Sequence, residues 1–397
     1  MSYKVDFVNS NYRRWYSNHK DEFDHAVLNC LEEGRLTLRE DVWKFEERLA
    51  AYVGMKYAVG VGSGTDALFL SLKALGIGPG DEVITVSHTF IATIQAIVHC
   101  GATPVLVDVG EDELMDTDLV EAAITEKTKA IIPVQYTGAT VDTKRLMYIA
   151  ASAVRPVYIV DDYCQALGAM QNQQKAGSFG ILNAVSFNTA KLLGGLCDGG
   201  AVTTDDRELY EKICLLRNHW NVHQLSVDRN DYPQPEEIGW GWKSRLSNVN
   251  AAFLNVKFDH IGFILERRAR IAQGYNKAFA DLPIGLPVEQ PGRSWQEYHL
   301  RVQDREKFAA FLTENGIETL TRDTTPNHLM NGLGLSHLRM AWFFAEQIRP
   351  VQVWMLRISL PVTEALAKTV IRLPLYEWLT DEEVVYIIEK VREFYAK

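Results

Sequence analysis

Between residues 57 and 205, short runs of β-branched residues alternate with amphipathic stretches, and this alternation restricts the possible folds more than any other feature. The strand-like runs include YAVGVGS, VITVSHT and VYIVDD, and helical patterns such as TDALFLSLKALG stand between them. This βαβ order predicts an α/β fold with a mostly parallel sheet and helices on both faces. Such sheets bind ligands beyond the carboxyl ends of their strands, so we expect functional residues directly after each run.

The pattern changes after residue 207 and becomes largely helical. It is interrupted by NHWNVHQLSVDRNDYPQPEEIGWGW, a polar and aromatic stretch too long for a simple connection, which we interpret as functional or interfacial. Further on, EYHLRVQ has a strand pattern and TDEEVVYIIEKVREFYAK a helix pattern. We therefore predict a large domain over residues 1–270 and a smaller α+β domain over residues 271–397, with the N-terminal segment packing partly on the small domain.

Charge and cysteine usage exclude several classes of partner. The formal net charge of -10 argues against binding to nucleic acid or to an anionic membrane, because both need a surplus of Lys and Arg. The five cysteines form no C-x-x-C pair, and the first residues lack the apolar region of a signal peptide, so we expect a cytoplasmic protein. The uncharged stretch Val83 to Val107 is broken by Gly101 and Pro104, which does not suit a membrane span.

The turn GVGSGTDAL lies between the first strand and the helix that follows it. Its small residues let backbone N–H groups converge at a helix N-terminus, where the helix dipole favours a phosphate. An ordinary capped turn explains the fragment equally well. If a phosphate binds here, we expect the amide of Asp66, and not its carboxylate, to face it.

A second motif, VYIVDDYCQALGA, ends a strand in two carboxylates, Asp161 and Asp162, with Gln165 close behind. An acid at this position can keep a pyridine nitrogen protonated, which makes the ring an electron sink. Taken alone, a carboxylate pair after a strand is more often a metal-ligand pair or a helix cap.

A third motif, AVSFNTAKLLGGLCDGGAV, places Lys191 after a strand and among four glycines. The glycines allow backbone to pack closely around the lysine, and a sheltered amine with a lowered pKa forms imines readily. Most lysines are solvated surface residues, but the position of this one relative to the other two motifs favours a functional role.

In this order, SGTDAL, DDYCQALGA and SFNTAKLLGGLCDGGAV resemble the sugar aminotransferase family often called DegT/DnrJ/EryC1/StrS. The similarity extends to GWKSRLSNVNAAFLNVK and LPLYEWLTDEEVVYIIEKV, and so covers nearly the whole chain. It implies a pyridoxal-phosphate (PLP) enzyme of the fold type I aminotransferase class. Within it, Lys191 would hold the cofactor as a Schiff base, Asp162 would pair with the pyridine nitrogen and Gln165 would contact the phenolic oxygen.

The resemblance also implies how the rest of the cofactor is held. The phosphate would be bound by the turn at Gly64, by the amides of Thr65 and Asp66, and by the hydroxyl of Ser186. Phe90 matches an aromatic that stacks on the pyridine ring in the family, although its pattern suits a core residue equally well.

Two departures from the family pattern concern cofactor and substrate. The family commonly shows GYNSR, with an Asn that reaches the phosphate of the neighbouring subunit, where this chain has Lys243, a point charge that could reach the same phosphate. The family often shows RNHG, where this chain has Trp220 in place of the glycine, beside the expected substrate entrance.

For the reaction, the resemblance implies an amine taken from glutamate and delivered to a keto group, at C3 or C4, of a nucleotide-linked 6-deoxy sugar. The product would serve a polysaccharide, such as lipopolysaccharide, or a glycosylated metabolite. The two half-reactions predict ping-pong kinetics, with Lys191 moving the proton. The site is expected at a homodimer interface, supported weakly by the aromatic loop from Trp220 to Trp242.

A diphosphate on the substrate calls for cations in an otherwise acidic chain. We expect the substrate-binding residues to be Arg217, His219, Arg245 and His328. Lys243 and Arg322 are further candidates, and His328 is the favoured single residue, although most of these side chains could equally be surface charges or structural partners.

Two other functions are compatible with such a chain. Sugar dehydratases of the same family carry a histidine at the lysine position, and the presence of Lys191 disfavours that reading. A non-catalytic regulatory protein could keep the fold, but the joint presence of Lys191, Asp162 and Gln165 argues against lost activity.

Overall fold

The computed structural model describes residues 3–7, 10–221, 239–321, 324–330 and 358–396. The helices of these residues are α1 (Ser10–Asn18), α2 (Lys20–Glu32), α3 (Glu40–Val53), α4 (Gly64–Ala74), α5 (Ala92–His99), α6 (Thr117–Ala123), α7 (Thr143–Ser152), α8 (Arg207–Leu216), α9 (Asn248–Asp259), α10 (Ile261–Phe279), α11 (Arg305–Glu314), α12 (Pro361–Thr369) and α13 (Asp381–Ala396). The strands are β1 (Tyr57–Val61), β2 (Glu82–Val86), β3 (Thr103–Val107), β4 (Thr128–Ile131), β5 (Tyr158–Asp162), β6 (Met170–Gln171), β7 (Gln174–Lys175), β8 (Leu182–Ser186), β9 (Gly200–Thr204), β10 (Tyr298–Arg301) and β11 (Val370–Leu373).

The main sheet has seven strands within the described residues, in the order β1-β9-β8-β5-β4-β2-β3. Strands β8, β5, β4, β2 and β3 are parallel, whereas β9 runs antiparallel to both of its neighbours. Because β9 is reversed, β1 and β8 on either side of it point in the same direction. The carboxyl ends of β1, β5 and β8 therefore meet at one edge, and the predicted mostly parallel sheet is confirmed.

Helices cover both faces of this sheet because its strands are apolar on both sides. In β9, Ala201 belongs to the core with α3 and α9, and the next residue, Val202, belongs to the core with α4 and α8. This alternation follows from the period of two along a strand. Polar side chains start several of the helices: Ser63 and Asp206, for example, accept hydrogen bonds from the backbone N–H three residues on.

A second apolar core lies at the C-terminal end of the chain. It is built on the antiparallel pair β10 and β11, with α10, α11 and α13 packed around them. The predicted domain boundary at residue 270 falls inside α10, which continues unbroken from Ile261 to Phe279. Val5 pairs with Ile317 through a parallel bridge, so the N-terminal segment contacts this core. Among the helices that the structure describes, none combines the length and apolar character that a membrane crossing requires.

Candidate active site

A cavity of about 640 Å³ opens at the edge of the sheet where β1, β5 and β8 end. All three sequence motifs reach it, because each follows one of these strands. From the predicted cofactor residues the cavity wall contains Gly64, Thr65, Phe90, Asp162, Gln165, Ser186 and Lys191. Residues far apart in the sequence thus share one cavity.

The turn after β1 forms the N-terminus of α4. Ser63 caps the helix by accepting a hydrogen bond from the Asp66 amide at 3.0 Å, while the Asp66 carboxylate accepts one from the Ser244 hydroxyl at 2.7 Å. Gly64 packs against Ser186 so closely that an added Cβ would lie 2.6 Å from the Ser186 Cβ. The positive end of a helix dipole and a hydroxyl in one narrow turn are suited to an anion such as phosphate.

Asp161 and Asp162 serve different purposes because neighbouring residues of a strand face opposite sides. Asp161 is turned into the protein, where it accepts hydrogen bonds from Gln135 at 2.6 Å and from the Gly177 amide at 3.1 Å. Asp162 faces the cavity and accepts hydrogen bonds from the Thr93 hydroxyl at 2.9 Å and the Cys164 amide at 3.2 Å. Burial raises the pKa of Asp161 to about 7.

The electrostatics of Asp162 favour a positive partner inside the cavity. Its side chain is 3% exposed, and burial raises its pKa, against the opposing hydrogen bonds from Cys164 and Thr93 and the charge of Lys191. The hydrogen-bond donors are neutral groups, so they offset only part of the cost of burying the charge. A protonated ring nitrogen beside this carboxylate would compensate the buried charge.

Gln165 is oriented by the backbone of a neighbouring turn. Its Oε1 accepts a hydrogen bond from the Thr137 amide at 2.9 Å, and this contact assigns the amide nitrogen of the side chain to the other side. Thr137 has a positive φ of 54°, and the following Gly138 has a φ of 92°. At Gly138 an added Cβ would lie 2.5 Å from the Trp295 nitrogen, so this turn also packs tightly against the C-terminal core.

Lys191 stands on the loop between β8 and β9. Gln296 holds this loop, because its Oε1 accepts a hydrogen bond from the Leu192 amide at 2.8 Å and its amide group donates one to the Ala190 carbonyl at 2.9 Å. Gln296 lies just before β10 and lines the cavity. The lysine loop is therefore fixed by a residue from the C-terminal part of the chain.

A network of buried ionisable groups lies beside Gln296 in the cavity wall. The sequence motifs do not reveal it. Glu297 and Arg372 both line the cavity and form an ion pair at 2.9 Å. The other oxygen of Glu297 contacts His299 at 3.0 Å, and His299 in turn contacts Glu113 at 2.6 Å. Burial raises the pKa of Glu297, but Arg372, His299 and Lys191 outweigh it and bring the pKa to about 2.

Phe90 is an exposed wall of the cavity. Its side chain is 62% exposed, which is incompatible with the alternative of a core phenylalanine. The preceding segment is anchored by Asn327, whose amide donates to the carbonyls of Ser87 and Thr89, and by His328, whose Nδ1 lies 2.8 Å from the Ser87 hydroxyl.

Two of the predicted substrate residues have structural partners away from this cavity. Arg217 is buried and pairs with Glu46 at 2.5 Å, and it also donates to the Gly60 carbonyl at 2.9 Å. His328 is fully buried between Ser87 and Glu364, and burial lowers its pKa. Neither residue lines the described cavity. Their contact with a substrate remains a prediction.

The other predicted cations lie on the surface. His219 and Lys243 are exposed, and Arg245 is partly exposed and donates to Asn218 at 3.3 Å. None of these three is part of the cavity wall in the described portion of the chain. Arg322 lies outside the described residues. All four roles remain predictions.

These observations fit pyridoxal phosphate. The helix N-terminus with Gly64 and Ser186 suits its phosphate, the buried Asp162 suits its pyridine nitrogen, and Lys191 is the amine that can react with its aldehyde.

Sequence reasoning missed Thr93, Gln296, Glu297 and Arg372, which contact or complete the site from other elements. A polar pair before a strand, as in Gln296-Glu297, was the available signal.

A family model described as the DegT/DnrJ/EryC1/StrS aminotransferase family matches residues 17–392. A dTDP-3-amino-3,4,6-trideoxy-alpha-D-glucose transaminase of Streptomyces venezuelae is 36% identical over 383 residues, which covers 96% of this chain and 93% of the relative. A pleiotropic regulatory protein of Geobacillus stearothermophilus is 35% identical over 387 residues and covers 96% of both chains.

Solved structures are similar over the same length. DesV of S. venezuelae in complex with a ketimine intermediate has a TM-score of 0.87 at 35% identity and covers 100% of both chains. The putative sugar aminotransferase Spr1654 of Streptococcus pneumoniae, in its PLP form, has a TM-score of 0.80 at 27% identity, and the match covers 95% of this chain and 96% of Spr1654.

Proposed function

This chain belongs to the DegT/DnrJ/EryC1/StrS aminotransferase family, and on that premise we propose that it aminates a keto carbon of a nucleotide-linked sugar. The family is PLP-dependent, so pyridoxal phosphate is the cofactor. The observation that carries the proposal is the convergence of Lys191, Asp162 and the α4 N-terminus in one cavity. A histidine at position 191 would have favoured the dehydratase reading, and the residue is a lysine.

Each cavity residue has a defined task in this proposal. When bound, pyridoxal phosphate supplies an electron sink that stabilises negative charge on the carbon next to nitrogen. Asp162 holds a proton at the ring nitrogen, and Gln165 donates a hydrogen bond to the phenolic oxygen. The Thr65 amide and the Ser186 hydroxyl would bind the phosphate, and the Asp66 amide would join them only by leaving the Ser63 hydroxyl, to which it donates at 3.0 Å. Phe90 would cover one face of the ring.

Lys191 is the group that moves the proton at the reacting carbon. Because Lys191 lines the cavity that would hold the cofactor, its amine would act there at a high effective concentration. Glu297 and Asp162 are both close enough for the lysine charge to influence their pKa values. Gln296 keeps the loop of Lys191 in place, so the amine returns to the same position in each half-reaction.

We propose glutamate as the amine donor and C3 or C4 of a 6-deoxy sugar as the acceptor carbon. The Streptomyces relative is named for a sugar with its amine at C3, which favours C3 as the acceptor carbon. Arg217, His219, Lys243, Arg245 and His328 remain proposed contacts to cofactor or substrate. The amino sugar would serve a polysaccharide, such as lipopolysaccharide, or a glycosylated metabolite.

We also propose that the protein works as a homodimer in the cytoplasm. Trp240 and Trp242, in the aromatic stretch, are 94% and 37% exposed. Aromatic residues are enriched at interfaces between subunits, so these two side chains support the proposed dimer. None of the five cysteines, all of which lie in the described residues, forms a disulfide, which suits a reducing compartment. Light scattering on the purified holoenzyme tests the dimer, which a monomeric mass would contradict.

The proposed reaction is tested in two steps with the purified holoenzyme. Glutamate is added first, and the visible absorbance of the bound cofactor should be lost if the amine is transferred. A panel of nucleotide-linked 3-keto and 4-keto sugars is then added, and the one that restores the absorbance identifies the acceptor. A holoenzyme that does not respond to glutamate would favour a regulatory protein, and failure of every sugar would point to another acceptor.

A further inference from the structure

Three chain segments bring two imidazoles and a carboxylate together on the side of α2. His19 directly precedes α2, Glu22 lies in its first turn, and His260 lies between α9 and α10. The Glu22 carboxylate is 2.8 Å from the His19 Nδ1 and 3.5 Å from the His260 Nε2. One ligand atom from each of the three residues lies within 4.8 Å of the others.

Hydrogen bonding within the protein does not account for this arrangement. The Glu22 carboxylate is the hydrogen-bond partner of the His19 Nδ1. The His260 Nε2, in contrast, is inaccessible to solvent and has no hydrogen-bond partner among the described residues. Its distance to the Glu22 carboxylate, 3.5 Å, is longer than an ordinary hydrogen bond. A buried polar atom of this kind costs about 1–3 kcal/mol and calls for an explanation, such as an ion bound there.

We propose that His19, Glu22 and His260 form a binding site for a divalent transition-metal ion, with Zn²⁺ as its simplest occupant. Two imidazoles and one carboxylate are a ligand set that zinc accepts, and hard ions such as Mg²⁺ prefer oxygen ligands alone. Zinc–ligand bonds of about 2.0–2.2 Å place tetrahedral ligands about 3.3 Å apart. The spacings in this cluster bracket that value, so small side-chain rotations would close the site.

The surroundings hold the two histidines in place. The Trp15 ring stacks on the His19 ring at 5.1 Å and lies 5.7 Å from the His260 ring, and Trp378 lies 5.8 Å from His19. Trp15 is itself buried, and its indole N–H donates to Glu377. Glu22 is on the open side, with 52% of its side chain exposed, so an ion can enter and keep a water as its fourth ligand.

A bound ion would connect α2 to the junction of α9 and α10, since its ligands come from both. The site is independent of the cavity that contains Lys191, because it shares no residue with the lining of that cavity. Its role would be to stabilise the packing of the N-terminal helices and not to take part in amine transfer.

The test is calorimetric titration of Zn²⁺ into the metal-free holoenzyme, with Glu22→Gln and His260→Gln as variants. His25→Gln is the matched control, because His25 is an exposed histidine of the same helix. We expect one zinc per chain in the wild-type and control proteins, at least tenfold weaker binding in both variants, and a zinc-dependent rise of Tm only where the site is intact.

Binding that is equal in the wild-type protein and the two variants, or no saturable binding, would overturn the proposal. Glu22 is exposed, so the Glu22→Gln variant should fold even if His260→Gln does not. Mg²⁺ should bind to none of the proteins at this site, and a Co²⁺ spectrum with tetrahedral character, absent in Glu22→Gln, gives a second readout that does not depend on activity.

Discussion

Asp161 and Asp162 show how one step along a strand separates a structural residue from a functional one. We predict that Asp162→Asn lowers the rate of amine transfer by about 10²–10⁴-fold, because an amide cannot hold the proton at the ring nitrogen. Asp161→Asn is the control, since that carboxylate accepts hydrogen bonds only from Gln135 and Gly177 within the described structure. It should lower the free energy of unfolding by about 1–3 kcal/mol and leave the rate of the folded enzyme unchanged. Single-turnover rates and thermal unfolding of both variants separate the two effects, and equal rate losses would contradict the assignment.

Arg217 is a second residue whose role the sequence leaves open. Because it is buried against Glu46, Arg217→Met should cost about 3–5 kcal/mol of unfolding free energy by leaving that carboxylate without its partner. The double variant Glu46→Gln/Arg217→Met should recover part of this loss. Urea unfolding measures both, and Arg245→Met, which removes a partly exposed guanidinium, should change stability little. A raised KM for the sugar nucleotide with unchanged stability would instead support a substrate contact for Arg217.

At the scale of elements, the N-terminus of α4 depends on a glycine that cannot be enlarged. In Gly64→Ala the new Cβ would lie 2.6 Å from the Ser186 Cβ, so the phosphate turn must open. Overpacking of this kind costs about 1–3 kcal/mol, which would weaken cofactor binding by about 5- to 150-fold. Equilibrium dialysis of PLP measures this loss. Gly274→Ala in α10 is the control, because no heavy atom lies within 4 Å of its added Cβ, and it should bind PLP normally.

The elements around this turn are those that the sequence predicts best. Alternating β-branched and amphipathic runs predict β1, α4, β5 and β8, and the glycine-rich turn and the position of Lys191 follow from the ends of those strands. The contacts of Gln296 and Arg372 with the cavity are not predictable in the same way. Gln296 contacts Leu192, 104 positions away, and Arg372 contacts Glu297, 75 positions away, and neither local propensity nor periodicity contains that information.

At the scale of the whole molecule, the buried network of Glu113, His299 and Glu297 joins the loop after β3 to the C-terminal core. The pKa of Glu297 is lowered from 4.5 to about 2, so its contribution to stability is present above about pH 4.5 and is lost as the pH falls toward 2. Burial lowers the pKa of His299, but Glu113 and Glu297 outweigh it and raise the pKa above 6.5. The contribution of His299 is therefore complete below pH 6.5 and is lost as the pH rises through the raised value.

We predict that the free energy of unfolding passes through a maximum between these limits and falls by about 2–3 kcal/mol on the acid side. In His299→Gln both slopes should be smaller, because Glu297 loses a hydrogen bond and the imidazole is absent. Urea unfolding at a series of pH values measures the curve, with His99→Gln, which removes an exposed histidine, as the control. Identical curves for wild type and His299→Gln would show that the network does not determine the pH dependence.

The covalent bond between Lys191 and the cofactor is tested most directly by reducing the holoenzyme with borohydride and mapping the modified peptide by mass spectrometry. We predict a single pyridoxyl-phosphate adduct on Lys191 and none in Lys191→Ala. Lys257 is the control within the chain, because burial lowers its pKa to about 8 yet it lines a neighbouring cavity without Asp162. An adduct on Lys257 or any other lysine in place of Lys191, or no adduct in the wild-type protein, would contradict the assignment.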